Sequence, residues 1–158
     1  MTNSARVAAL RMLAVRRLTE AQLEKKLVAR GFAGDAVAAA IATCKRDGYV
    51  DDALFAALYV EGPRKAVGDV RLVAELVKRG IDREAAQRAV SAAPRNQSER
   101  IALAYDKLRR TKRELSYQSS ARALERLGFP TSLIYRVLRE HAAAAFGDAL
   151  DIDAAGSR

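Results

Sequence analysis

Two groups of cationic side chains are the residues of this chain best suited to do chemistry. Arg64 and Lys65 follow Gly62-Pro63, and Arg71, Lys78 and Arg79 come next; steps of seven and eight from Arg71 put the last two on its side of a helix. Arg109, Arg110, Lys112 and Arg113 form the second group, four charges within five residues. Guanidinium and ammonium groups at this density hold phosphate or carboxylate oxygens through charge-assisted hydrogen bonds. A helix C-terminus draws cations through its own dipole, which accounts for part of the second group and leaves an excess. Bond-making chemistry has no such support. His141 and Cys44 are single representatives of their types, so no Ser/His/Asp or Cys/His set, zinc site or internal disulfide can be assembled. No glycine-rich phosphate loop of the Walker type occurs. Asp51-Asp52 lacks further acidic neighbours and suits a helix cap better than a Mg site. Tyr49, Phe55 and Tyr59 sit beside Leu54 and Leu58 and suit core packing better than base stacking.

The elements that must position these groups are visible as an internal repeat. Lys25 to Phe32 reads KKLVARGF, Ala74 to Ile81 reads AELVKRGI, and Arg122 to Phe129 reads RALERLGF. Leu27, Leu76 and Leu124 correspond, then Gly31, Gly80 and Gly128, then apolar Phe32, Ile81 and Phe129. The register continues through Val37, Ala86 and Ile134 to Ile41, Val90 and Leu138. The expected limits are 1–49, 50–93 and 94–146, followed by an acidic flexible tail over 147–158.

Each repeat reads as three short helices. Ser4 can cap the first, whose apolar residues are Val7, Leu10 and Leu13, and Thr19 with Gln22 makes a capping box for the second. Gly31 stands where a left-handed C-terminal residue is wanted, and Val37, Ile41 and Cys44 line a third helix that stops near Asp47-Gly48, with Cys44 a packed thiol. In the second repeat Asp51-Asp52 can cap a helix presenting Leu54, Phe55, Leu58 and Tyr59. Gly62-Pro63 breaks it, and Asp69 and Asp82 can cap the two helices that follow. Asn96 with Glu99, Ser116 and Thr131 can start the three helices of the last repeat. The fold class is therefore all-α: three tandem three-helix repeats, stacked into an elongated, curved array because a unit of this size buries too little surface alone.

Composition sets the remaining bounds. Half of the 158 residues are apolar, with 3 Pro and no Trp, which favours helix. The net charge of +9 is unevenly placed: residues 1–50 carry nine cations against four anions and 94–146 eleven against five. The middle repeat is balanced at seven each, and the tail is acidic. Such a surface suits a polyanion or a protein already bound to one. No apolar run reaches the length of a membrane span and Met1 to Arg11 has no signal-peptide stretch, so a soluble, cytoplasmic protein away from any membrane is expected.

The chain resembles the RecX regulators of bacterial RecA over residues 4–141. The resemblance rests on Arg17-Leu18-Thr19-Glu20 with Leu23 and Leu27, Arg30-Gly31-Phe32, Gly48-Tyr49-Val50-Asp51-Asp52 with Phe55-Ala56, and Gly68 with Arg71-Leu72, Glu75-Leu76 and Gly80-Ile81. Two positions depart from the family pattern: Asp69-Val70 stands where a Pro often follows the glycine, and Arg126-Leu127 where two basic residues usually precede Gly-Phe. The resemblance implies a monomeric, non-enzymatic protein without cofactor. Such a protein lies in the groove of the RecA–DNA filament, restrains ATP hydrolysis, strand exchange and repressor cleavage, and in some members contacts single- and double-stranded DNA non-specifically. The alternative is a helix-turn-helix protein acting on DNA directly, since short helices joined by tight turns also build that domain.

Overall fold

The structure, a computed structural model, describes residues 4–62, 66–111 and 115–155, with side chains to residue 144. Among these residues there are nine helices and no strand, so the all-α class holds. The helices are α1 (Ala5–Val15), α2 (Glu20–Val28), α3 (Gly34–Arg46), α4 (Asp52–Glu61), α5 (Asp69–Val77), α6 (Arg83–Ser91), α7 (Gln97–Thr111), α8 (Tyr117–Arg126) and α9 (Thr131–Ala155). They gather into two compact units whose limits differ from those of the repeats: residues 1–62 with 72–94, and residues 63–71 with 95–158.

Local chemistry starts most helices where the caps predict. Ser4 Oγ accepts from the Val7 N–H, Asp51 Oδ1 from Leu54, Asp82 Oδ2 from Ala85, Asn96 Oδ1 from Glu99 and Ser116 Oγ from Ser119. The box on α2 closes both ways: Thr19 Oγ1 accepts from the Gln22 N–H at 3.2 Å, and Gln22 Oε1 accepts from the Thr19 N–H at 3.3 Å. Each such cap contributes about 1 kcal/mol by satisfying donors that the first turn cannot. Asp69 departs from its expected role. It is the first residue of α5 itself, and its carboxylate is taken by Arg100.

In the first unit α1, α2 and α3 pack on one another. Leu23 and Leu27 of α2 are fully buried among Val37, Ile41 and Cys44 of α3. The contribution of α1 is small side chains: Ala5, Ala8 and Ala9 are buried, Leu10 and Leu13 are half-buried and Val7 is exposed. The expected face of Val7, Leu10 and Leu13 is thus displaced, because alanines let the helix backbones approach closely and leave the larger residues at the margin. The same exchange occurs in α4, where Ala56 and Val60 are buried while Leu54 and Leu58 are exposed. In α7 Ala104 joins Ile101 inside and Leu103 is exposed.

The repeat register survives folding. Leu27, Leu76 and Leu124 are each 0% exposed, so each contributes about 1.5–3 kcal/mol by burial. Gly31, Gly80 and Gly128 have φ of 83°, 89° and 85°. Gly80 carries a second constraint: a Cβ there would overlap the Ala21 Cβ, because the Thr19 hydroxyl donates to the Arg79 carbonyl at 2.6 Å and draws the start of α2 onto the end of α5.

The second unit repeats this device with different atoms. Its core is Ile101, Leu124, Phe129, Leu133, Ile134 and Leu138, with Ala104 and Val137. The segment before α5 lies on the end of α8: the Gly68 N–H donates to the Leu127 carbonyl at 2.9 Å, and a Cβ on Gly68 would overlap the Gly128 carbonyl. Helix α9 runs without interruption through Gly147 to Ala155. The helix therefore continues past the residue where the sequence suggests it should stop.

Candidate interaction surface

Helix α7 shows how the sequence exposes a pair of arginines. Its buried stripe holds Ile101 and Ala104, with Tyr105 and Leu108 half-buried. Arg109 and Arg110 fall outside that stripe in the last turn and are exposed. The Thr111 hydroxyl lies within donating distance of the carbonyls of Lys107 (2.9 Å) and Leu108 (3.2 Å), so these two carbonyls are met without the guanidinium groups. Neither arginine has an ion pair or side-chain hydrogen bond among the described residues. Two freely solvated guanidinium groups at a helix end can bind phosphate or carboxylate bidentately. Lys112 and Arg113, which belong to the same cluster, lie outside the described residues, as do Arg64 and Lys65.

The group around α5 fares differently. Arg71 is exposed, and its Nη1 donates to the Arg126 carbonyl at 3.1 Å. Lys78 and Arg79 follow the end of α5 and part company there. Lys78 is exposed. Arg79 is half-buried, donates from Nη1 to the Glu75 carbonyl at 2.7 Å and lies 4.5 Å above the centre of the Tyr59 ring. Tyr59 in turn donates its hydroxyl to the Glu75 carboxylate and stacks near Phe55. This cation–π contact makes Arg79 and the aromatics of α4 parts of the packing, so the expected single basic face does not include Arg79.

Among the acidic residues, Asp51 caps α4 and Asp52 Oδ1 accepts the Glu20 N–H at 2.9 Å. Asp52 thereby ties the start of α4 to the start of α2. Cys44 is buried, and burial, with Asp47 nearby, pushes its thiol above the ordinary cysteine value. Lys45 donates to Glu20 at 2.6 Å, and that bond raises its ammonium above the usual lysine value.

One charged residue of structural weight escapes the sequence reading. Arg100 is only 2% exposed. Its Nε donates to the Val67 carbonyl at 3.0 Å, its Nη1 to the Arg95 carbonyl at 2.6 Å and its Nη2 to the Asp69 carboxylate. The Asp69 N–H donates to Gln97 Oε1 at 2.8 Å, closing the clasp. The available signal is phase: Arg100 stands four residues before buried Ala104 and next to buried Ile101, on the inner stripe of α7.

The sequence and the fold of this chain match known proteins. A family model described as RecX, first three-helix domain, matches residues 5–44, which cover α1 to most of α3. The Regulatory protein RecX of Amycolatopsis mediterranei is 32% identical over 138 residues, 82% of this chain and 78% of that protein. The chain belongs to the RecX family. The RecX of Mycolicibacterium vanbaalenii is 39% identical over 114 residues, 68% of this chain and 61% of its own length. Among solved structures, RecX from Lactobacillus salivarius superposes with a TM-score of 0.71 at 22% identity, covering 86% of this chain and 93% of that one. A second, described as regulatory protein RecX, gives 0.74 at 23% identity over 86% of this chain and 71% of its own. At these identities the likeness speaks for the fold, an all-α array of helical repeats. RecX is a family of regulatory proteins rather than of enzymes. Among the described residues no helix is long and apolar enough to cross a membrane.

Proposed function

We propose that this chain binds the filament that RecA forms on DNA, acting as a monomer in the cytoplasm, and restrains RecA ATP hydrolysis, strand exchange and repressor cleavage. Membership of a regulatory family is the observation that carries this reading. The exposed Arg109 and Arg110, the exposed Arg71 and Lys78 and the net charge of +9 supply contacts suited to a filament that presents phosphates and carboxylates. No cofactor or catalytic group takes part. Any DNA contact made without RecA is weak and independent of sequence, because it rests on cations displacing counterions from phosphates.

The test is RecA ATPase on single-stranded DNA with purified protein titrated in. Hydrolysis falls and saturates as the filament fills. Unchanged hydrolysis at several-fold excess over filament sites would overturn the reading. Binding to unrelated oligonucleotides at two salt concentrations separates it from the helix-turn-helix alternative: a marked preference for one sequence would favour the latter.

A further inference from the structure

The C-terminal ends of α1 and α2 enclose a surface cavity of about 650 Å³ in the first unit. Its rim carries Arg11, Arg16, Lys26 and Arg30, with no acidic residue among the described residues that line it, and Met12, Val15 and Leu18 line its apolar part. Two anions of the first unit are paired with other cations: Asp47 with Arg6 and Arg46, and Glu20 with Lys45. None of the four rim cations has an ion pair among the described residues. Helix dipoles favour cations at such ends, yet four around one cavity exceed what two helix termini need. Val15, at the cavity edge, is 84% exposed, so its apolar surface is open to a ligand.

A second observation concerns the same end of α2. In the other two repeats the corresponding helix end is covered by the chain itself: the Thr19 hydroxyl donates to Arg79 at the end of α5, and the Gly68 N–H donates to Leu127 at the end of α8. At α2, among the described residues, nothing lies within 4 Å of where a Gly31 Cβ would be, and Ala29 and Arg30 are exposed. The repeat thus leaves one position of its own packing scheme vacant, beside the cationic cavity.

We propose that this cavity is a docking site for an acidic peptide segment bearing an aliphatic anchor residue. The anchor enters between Met12, Val15 and Leu18, while flanking carboxylates meet Arg11, Arg16, Lys26 and Arg30. Charge complementarity selects an anionic ligand, and the lining selects among anions. Among the described residues the cavity lining has no aromatic side chain on which a base could stack. A phosphate backbone gains nothing from an apolar floor, whereas a leucine or isoleucine side chain does. The inference stands on the first unit alone and does not depend on RecA.

The test uses the whole chain and fluorescence anisotropy with three fluorescein-labelled probes. They are a glutamate-rich peptide with a central leucine, its twin with serine in place of leucine, and a thymidine oligonucleotide of equal charge. The leucine peptide should bind about tenfold more tightly than the serine twin. The double reversal Arg16→Glu with Lys26→Glu should weaken it by about tenfold or more. Val15→Asp, at an exposed position, should weaken it several-fold with circular dichroism unchanged, and Arg136→Glu, an exposed charge reversal on α9, should not. Equal binding of the two peptides, tighter binding of the oligonucleotide with loss on the same reversals, or an equal effect of Arg136→Glu would each overturn the proposal. So would failure of the leucine peptide to bind.

Discussion

Replacing Arg100 by Met should loosen the second unit more than the loss of any exposed charge on that unit. The side chain is 2% exposed and holds the Val67 carbonyl, the Arg95 carbonyl and the Asp69 carboxylate. Arg100→Met keeps most of the buried volume but deletes all three bonds. The Asp69 side chain is 46% exposed, so water can solvate its freed carboxylate and that loss is small. The two carbonyls are the larger cost, because hydrogen bonds to a charged donor contribute about 1.5–3 kcal/mol each, and the buried Val67 carbonyl left unmet carries a further penalty. Removal of the buried charge itself recovers part of this. The balance is a destabilisation of about 2–4 kcal/mol, equivalent to a fall in Tm on the order of 10 °C for a chain of this size. Urea unfolding measures the total, and amide hydrogen exchange at Gly68, whose N–H donates to Leu127, reports the local loss. Asp69→Asn should cost less than Arg100→Met, since it leaves the guanidinium bound to both carbonyls. A loss below about 0.5 kcal/mol for Arg100→Met, within the range of ordinary surface changes, would refute the clasp.

Gly31→Ala and Gly80→Ala form a matched pair: both need positive φ, but only the second meets Ala21. The first should cost about 1 kcal/mol, and the second at least about 1 kcal/mol more through overpacking, both read by denaturant unfolding; equal losses would deny the close approach. Arg109→Glu with Arg110→Glu should weaken inhibition of RecA ATPase while circular dichroism stays unchanged, since both side chains are exposed and unpaired among the described residues. Full inhibition by that variant would remove the end of α7 from the binding surface. Cys44 should react slowly with a thiol reagent in the folded chain and quickly in denaturant, because it is buried and its thiol is pushed up. A raised folded value means that the stability linked to this thiol is complete below the unfolded cysteine value and is lost as pH rises through the folded one; rapid labelling at neutral pH would contradict the burial.

The expected caps at Ser4, Thr19, Asp51, Asp82, Asn96 and Ser116 all accept the backbone N–H that the sequence assigns them. A cap is decided within four residues, so spacing alone contains it. The same holds for Gly31, Gly80 and Gly128, where the left-handed turn is local and the repeat supplies three instances. Asp69 breaks the pattern because its partner, Arg100, is 31 residues away.

The chain's own sequence determined the class of fold, the starts of most helices, the triple repeat and the leucines at its centre, since each follows from short-range periodicity or from self-comparison. Tertiary structure alone decided which face of α1, α4 and α7 turns inward. In helices with apolar residues on more than one side, periodicity leaves two phases of similar hydrophobicity. The choice of alanine over Leu54, Leu58 or Leu103 depends on how near the neighbouring backbone comes. It also decided the fate of the charges. Arg79, Arg100 and Arg109 are the same residue type in or just after a helix, yet one stacks on Tyr59, one is buried against Asp69 and one is left to solvent. A guanidinium group becomes structural or available according to the carbonyls, carboxylates and rings that folding brings to it from distant parts of the chain, and no local spacing encodes their arrival.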